Sequence, residues 1–206
     1  MSDRAPMPPP DDEQWTGLRP PEPPLADGRI ALRPWRDGDV DAVVAACQDP
    51  VIQRFVPVPV PYTPEVGRGF VEASHRGWAQ GSEGRFAIAD ANDDSVLGAL
   101  GLHPVRYRRW DVGYWIAPWA RRQGVATGAV RLVCAWAMRE HDLVRIGLFT
   151  DVDNEASQRT ALAAGFRREG TLRNWTFHHD TIMDAVMFSL VPEDLGQGID
   201  RDGAVG

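Results

Sequence analysis

The chain has 206 residues, 43% of them hydrophobic and 25% charged, and carries a net charge of −7. That length suits one domain with a full core, and the acidic balance argues against bulk nucleic-acid binding, which needs a basic surface. No apolar run is long enough to cross a bilayer, the N-terminus lacks the apolar segment of a secretory signal, and Cys47 and Cys134 lie far apart with no CxxC pair; free thiols in a cytoplasmic protein without a metal cage are the expectation.

Residues 1–26 contain eight of the 17 prolines and several acids, so residues 1–27 are expected to form a disordered or extended tail. One domain over residues 28–195 follows, and the Gly- and Asp-rich residues 196–206 are expected to fray. Within the domain, Arg29 to Pro34 reads as a strand. Asp39 to Gln48 reads as a helix, with Val40, Val43, Val44 and Cys47 on one face. Prolines at alternate positions make Val56 to Pro64 a loop. Glu65 to Gln80 is a second helix. Arg85 to Asp90 and Val96 to His103 are predicted to form a hairpin across an Asn-Asp-Asp turn.

Asp111 to Ala117 reads as a strand ended by Pro118. In it Asp111, Gly113 and Trp115 share one face, and Val112, Tyr114 and Ile116 the other. Gly124 to Arg139 is a helix, with Val125, Ala129, Leu132, Val133 and Trp136 spaced for burial. Arg145 to Thr150 is a strand and Asn154 to Ala164 a helix. Phe166 to Trp175 and Ile182 to Leu190 are two closing strands, with His178-His179-Asp180 as their turn; neighbouring residues on a strand point to opposite faces, so these are not expected to hold a metal. His75, His103 and His141 are isolated and receive no role. The strand and helix order implies an α/β or α+β fold around a sheet of mixed direction.

The stretch Trp119-Ala-Arg-Arg-Gln-Gly-Val-Ala-Thr127 crowds positive charge and a glycine before a helix, where acidic residues are the usual choice. The first amides of a helix lack intrahelical partners and, with the helix dipole, attract anions. Gly124 removes the Cβ that would keep a ligand from the backbone, and Arg121 and Arg122 can pair with phosphate oxygens. Arg121-x-x-Gly124-x-Ala126 therefore reads as a pyrophosphate cradle, or else as a solvated loop whose glycine merely starts a helix. It is neither a P-loop, since no Gly-Lys-Ser/Thr follows, nor a dinucleotide fingerprint, since GxGxxG is missing.

Asp111-Val-Gly-Tyr-Trp-Ile-Ala-Pro118 followed by Arg121-Arg-Gln-Gly-Val-Ala-Thr127 resembles the central motif of the GNAT acetyltransferase superfamily. Asp153-Asn-Glu-Ala-Ser-Gln-Arg159 and Ala164-Gly-Phe166 resemble a second segment of it. Leu32-Arg-Pro34 and Val186-Met-Phe-Ser-Leu190 are similar to the opening and closing strands of its RimJ/RimL-type branch. These motifs span about residues 28–195 in the family's order. The resemblance implies a mixed, mostly antiparallel sheet of about seven strands flanked by about four helices. It also implies acetyl-CoA as cofactor and an amine as substrate: a protein N-terminus or a small molecule, attacking directly in a ternary complex. The family often forms dimers, so a homodimer is among the expected partners.

Residue by residue, the resemblance puts Arg121, Arg122, Gln123, Gly124, Val125, Ala126 and Thr127 around the pyrophosphate, and the backbone of Ile116 and Ala117 against the pantetheine amides. Asn154 would bond the pantetheine arm, although Asn is also a good helix N-cap. Asp111 is the expected base where relatives carry Glu, one methylene longer, so a water relay is expected. Ser157 is the expected acid for the leaving thiolate. Trp110, Trp115 and Trp119 flank the same strand, and packing is their first expectation. A non-catalytic acyl-CoA-binding module with the same fold is the alternative, and an ATP-binding domain a third reading against which the missing lysine speaks.

Overall fold

The computed structural model describes residues 17–105, 108–178 and 181–197. The first sixteen residues of the expected tail, His179 and Asp180 of the expected turn, and the chain after residue 197 lie outside them.

The elements run β1 (Leu25–Ala26), β2 (Ile30–Pro34), α1 (Val40–Cys47), α2 (Pro50–Phe55), α3 (Pro64–Gln80), β3 (Gly84–Asp90), β4 (Val96–Pro104), β5 (Arg109–Ile116), α4 (Val125–Glu140), β6 (Arg145–Asp151), α5 (Glu155–Ala163), β7 (Arg167–His178) and β8 (Thr181–Leu190). The strands form one sheet in the order β1-β2-β3-β4-β5-β6-β8-β7. Every pairing is antiparallel except β5 with β6. A mixed, mostly antiparallel sheet with helices on both faces is what the element order implied.

Both faces of the sheet are buried at its centre. Alternate residues of β3, β4 and β5, among them Phe86, Ile88, Leu100, Leu102, Trp110 and Val112, pack with Val130, Val133 and Ala137 of α4. The residues between them, Ala87, Ala99 and Trp115, pack with Trp35, Val43 of α1 and Val71 of α3. This is the period-two alternation of a strand buried on both sides. Helix α3 starts at a Thr63 cap followed by Pro64, and ends at Gly81, whose φ of +64° closes the helix in the left-handed region. The β3–β4 hairpin is tied to β2 by a buried arginine. Arg33 donates to both carboxylate oxygens of Asp39 at 2.8 and 3.0 Å and to Asp94 Oδ1 at 2.7 Å.

Three expectations are corrected. Among the described residues the sheet has eight strands rather than about seven, because Leu25–Ala26 pairs with β2. Among the described residues the α-helices number five rather than about four, because Pro50–Phe55 is helical; it follows directly on the residues read as the first helix, and Asp49-Pro50 restarts the chain as cap and first-turn proline. The fold begins before residue 28. Leu18 has no solvent exposure and sits in the core beside Trp78 and Phe86. Its amide donates to the Gly81 carbonyl at 3.1 Å. Proline density signals loss of helix, not loss of burial, and a lone leucine among prolines carries no periodic signal.

Candidate active site

Strands β5 and β6 run parallel but pair only at Arg109–Arg145, Trp110–Ile146 and Asp111–Gly147. Beyond Asp111 they separate, while β5 stays paired with β4 up to Ile116 and β6 with β8 up to Asp151. The sheet therefore splits, and a cavity of about 1230 Å³ occupies the wedge. A split sheet leaves the inner edge of β5 without a strand partner, so its backbone is available to an extended ligand.

At the far end of β5 the chain turns through Pro118–Ala120 into Arg121, Arg122 and Gln123, and Gly124 caps α4. Arg122 has φ +62° and Gly124 φ +76°. Left-handed residues before a helix start, together with its first amides, can form an anion-binding nest. No acidic residue lies in that turn. A non-glycine residue in the left-handed region is strained, and such strain gathers at ligand sites. Arg122, Gly124, Val125, Ala126 and Thr127 all line the cavity.

Gly124 is needed chiefly for its backbone angle. A Cβ there would meet Arg29 Nη2 at 3.4 Å, because the Arg29 guanidinium donates to the Gln123 carbonyl at 2.7 Å and braces the loop from β2. Arg121 also has a different partner from the one expected. Its Nη2 and Nη1 donate to Asp49 at 2.5 and 3.3 Å, and its Nε to the Ile116 carbonyl at 3.4 Å. In this structure it clamps the cradle to α2, and Arg122 is the exposed arginine of the pair. Gln123 donates to the Trp119 carbonyl at 3.1 Å. Ala117 has both backbone groups engaged, its N–H with Leu97 and its carbonyl with Ala120.

Asn154 caps α5, its side-chain oxygen accepting from the Ser157 amide at 3.1 Å; it also lines the cavity. Ser157 Oγ lies 3.0 Å from the Tyr114 hydroxyl. Burial, above all, raises the Tyr114 pKa above its ordinary 10, so the phenol keeps its proton and can support Ser157 as a donor. Tyr114 lies on the β5 face opposite Asp111, as the alternation predicted, and that face looks toward α5.

Asp111 lines the other face of the wedge. Desolvation raises its pKa above the ordinary carboxylate value, against the opposing pull of His103, Arg145 and Arg109. Its Oδ1 lies over Gly147, where a Cβ would approach to 2.3 Å; only glycine there leaves room for the carboxylate. The floor beside it is formed by Arg85 and His103, and the wall by α2 and the segment after it, including Phe55 and Val56, with Phe149, Phe177 and Met183 across the opening.

Of the flanking tryptophans, Trp110 and Trp115 are buried in the two cores, and the exposed Trp119 donates from Nε1 to the Val96 carbonyl at 2.9 Å. Sequence reasoning missed His103, the partnership of Tyr114 and the α2 wall. The signal for α2 was present in Asp49-Pro50, an N-cap followed by a first-turn proline. The other two depend on strand register. Among the described residues no group of three or more His, Cys, Asp or Glu is placed to hold a metal, and no helix is long and apolar enough to cross a membrane.

The family described as acetyltransferase (GNAT) domain matches residues 29–167. The uncharacterized N-acetyltransferase YoaA of Bacillus subtilis is 28% identical over 169 residues, covering 81% of this chain and 96% of that protein. The ribosomal-protein-serine acetyltransferase of Escherichia coli is 24% identical over 101 residues, 48% of this chain and 56% of that protein. Among solved structures, Mycobacterium smegmatis RimJ in complex with CoA-disulfide superposes with a TM-score of 0.74 at 22% identity, covering 84% of this chain and 87% of that one.

Proposed function

Because the chain belongs to the GNAT acetyltransferase family, whose members use acetyl-CoA, we propose that it transfers the acetyl group to a primary amine by direct attack in a ternary complex. One observation carries this reading: a single wedge between β5 and β6 joins an anion nest at Arg122–Gly124 to a desolvated carboxylate, Asp111, and a hydroxyl pair, Ser157 and Tyr114. Coenzyme A supplies an activated thioester. The nest and the first amides of α4, with Arg122, hold its phosphates. The inner edge of β5 as far as Ile116 takes the pantetheine amides, and Asn154 lies beside that arm. Asp111 draws the ammonium into the wedge and accepts a proton from it, through a water where its short side chain does not reach. Ser157, supported by Tyr114, returns a proton to the departing sulfur.

The acceptor is a protein N-terminus. The cavity opens beside the exposed apolar side chains of Phe149 and Phe177, with the exposed Trp175 edge-on to Phe149, a broader surface than a small amine needs. The name of the ribosomal-protein-serine acetyltransferase, which specifies a protein acceptor, supports this reading. Both free cysteines are buried, in keeping with a cytoplasmic protein.

The test is calorimetric titration with acetyl-CoA, using ATP as control, followed by mass-spectrometric screening of N-terminal peptides and small amines. Micromolar binding of acetyl-CoA alone with acetylated peptides is the expected result. Acetylation of small amines only would overturn the acceptor class, and binding with no transfer to any amine would establish the non-catalytic alternative.

A further inference from the structure

The floor of the wedge holds a histidine that the proposed reaction does not yet use. His103 on β4 stands directly opposite Asp111 on β5, so their Cβ atoms are about 5 Å apart. Its Nδ1 lies 3.4 Å from Glu83 Oε2, and Glu83 Oε1 in turn receives Arg85 Nη2 at 2.8 Å. The far side of the ring lies over Gly101, where a Cβ would come within 2.7 Å of Nε2. Both Gly101 and His103 line the cavity. The ring is thus fixed at one nitrogen by a carboxylate and rests on the one residue type that leaves it room.

We propose that His103, oriented by Glu83, is a second proton acceptor of this site, Asp111 receiving the ammonium and His103 Nε2 keeping the proton. The inference rests on the acetyl-transfer reading. A carboxylate at Nδ1 favours the Nδ1–H tautomer, which leaves the lone pair on Nε2 directed away from Glu83. The balance is simple. The ammonium N–H bond breaks, the proton joins Nε2, and the nitrogen lone pair so released forms the new C–N bond; as the adduct collapses the C–S bond breaks, the nitrogen passes its second proton to water, and the departing thiolate takes a proton from Ser157. The imidazolium is paired with Glu83 and passes its proton to water, since about half of the side chain is exposed.

The surrounding charges set the working range. Desolvation is the largest influence and holds the imidazole below its ordinary 6.5; Arg85 adds to it, while Glu83 and Asp111 oppose it. Arg109 and Arg145 bear on Asp111 from β5 and β6. Above its pKa the ring is neutral and able to accept a proton, so activity falls on the acid side. At neutral pH an imidazole is a better-matched base than a carboxylate.

Two measurements on the full chain test this. Nitrogen-15 NMR of the His103 ring should show the Nδ1–H tautomer at neutral pH, and Glu83→Gln should lower the ring's pKa; an Nε2–H tautomer overturns the proposal without any substrate. With acetyl-CoA and the peptide acceptor, His103→Gln should lower kcat/KM about 100-fold and abolish the acid limb, with acetyl-CoA binding unchanged. Gly101→Ala, which displaces the ring, should follow it. Wild-type rate and acid limb in His103→Gln would sink the proposal. Failure of the acetyl-transfer reading shows up separately, as wild-type protein that neither binds acetyl-CoA nor acetylates any amine.

Discussion

Asp49 performs two tasks whose separation is measurable. Its Oδ1 accepts the amides of Val51 and Ile52 at 3.0 Å each, capping α2. The same carboxylate holds the Arg121 guanidinium, with side-chain exposures of 14% and 31% for the two residues. Asn caps as well as Asp, so Asp49→Asn keeps the first task and loses the second; Asp49→Ala loses both. A lost cap costs about 1 kcal/mol. The ion pair, less screened than a surface pair but still wet, is worth about 1 kcal/mol. Asp49→Asn should therefore cost about 1 kcal/mol and Asp49→Ala about 2 kcal/mol, which for a chain of this size is roughly 3 and 6 °C in Tm.

Urea unfolding of Asp49→Asn, Arg121→Gln and the double variant closes a cycle, with an expected coupling of about 1 kcal/mol. Arg121 holds the Asp49 pKa below its ordinary 3.8. A depressed folded pKa stabilises above the unfolded value, and that stability is lost as the pH falls through the folded one. The gap between wild type and Asp49→Asn should be constant above about pH 4.5 and close below 3.8. An additive cycle, or a gap that does not respond to acid, would refute the assignment of Arg121 to Asp49 and return that arginine to the phosphates.

Gly124→Ala should cost about 1 kcal/mol, because its φ of +76° is unfavourable for a residue with a Cβ, and should weaken coenzyme A binding about tenfold as the nest distorts. Gly124→Asn, which tolerates that angle better, should recover much of both; calorimetry and thermal unfolding check the pair, and an alanine variant with unchanged affinity removes the nest from phosphate binding. Ser157→Ala should lower kcat about 100-fold with the KM for acetyl-CoA little changed, and Tyr114→Phe should lower it less. Near-normal turnover in Ser157→Ala means the thiolate leaves without that donor.

Much of the architecture was legible from local pattern. The alternation in β2 to β6 and the 3.6-residue spacing in α4 reflect burial against a neighbouring layer, and that requirement is written into each segment separately. The glycine and arginines before α4 were legible for the same reason, since they stand within a few residues of one another. Leu18 and the two-residue β1 were not, because their burial depends on partners, Gly81 and β2, that no local pattern names.

The sequence by itself determined most of the strands and helices and the faces on which Asp111 and Tyr114 lie, since backbone periodicity settles these within a segment. Only the tertiary structure decided that Arg121 clamps Asp49 across 72 residues, that Tyr114 meets Ser157 across 43, and that His103 stands opposite Asp111. A side chain's partner is set by register and by the path of the chain between elements, and neither is encoded in the residues immediately around it.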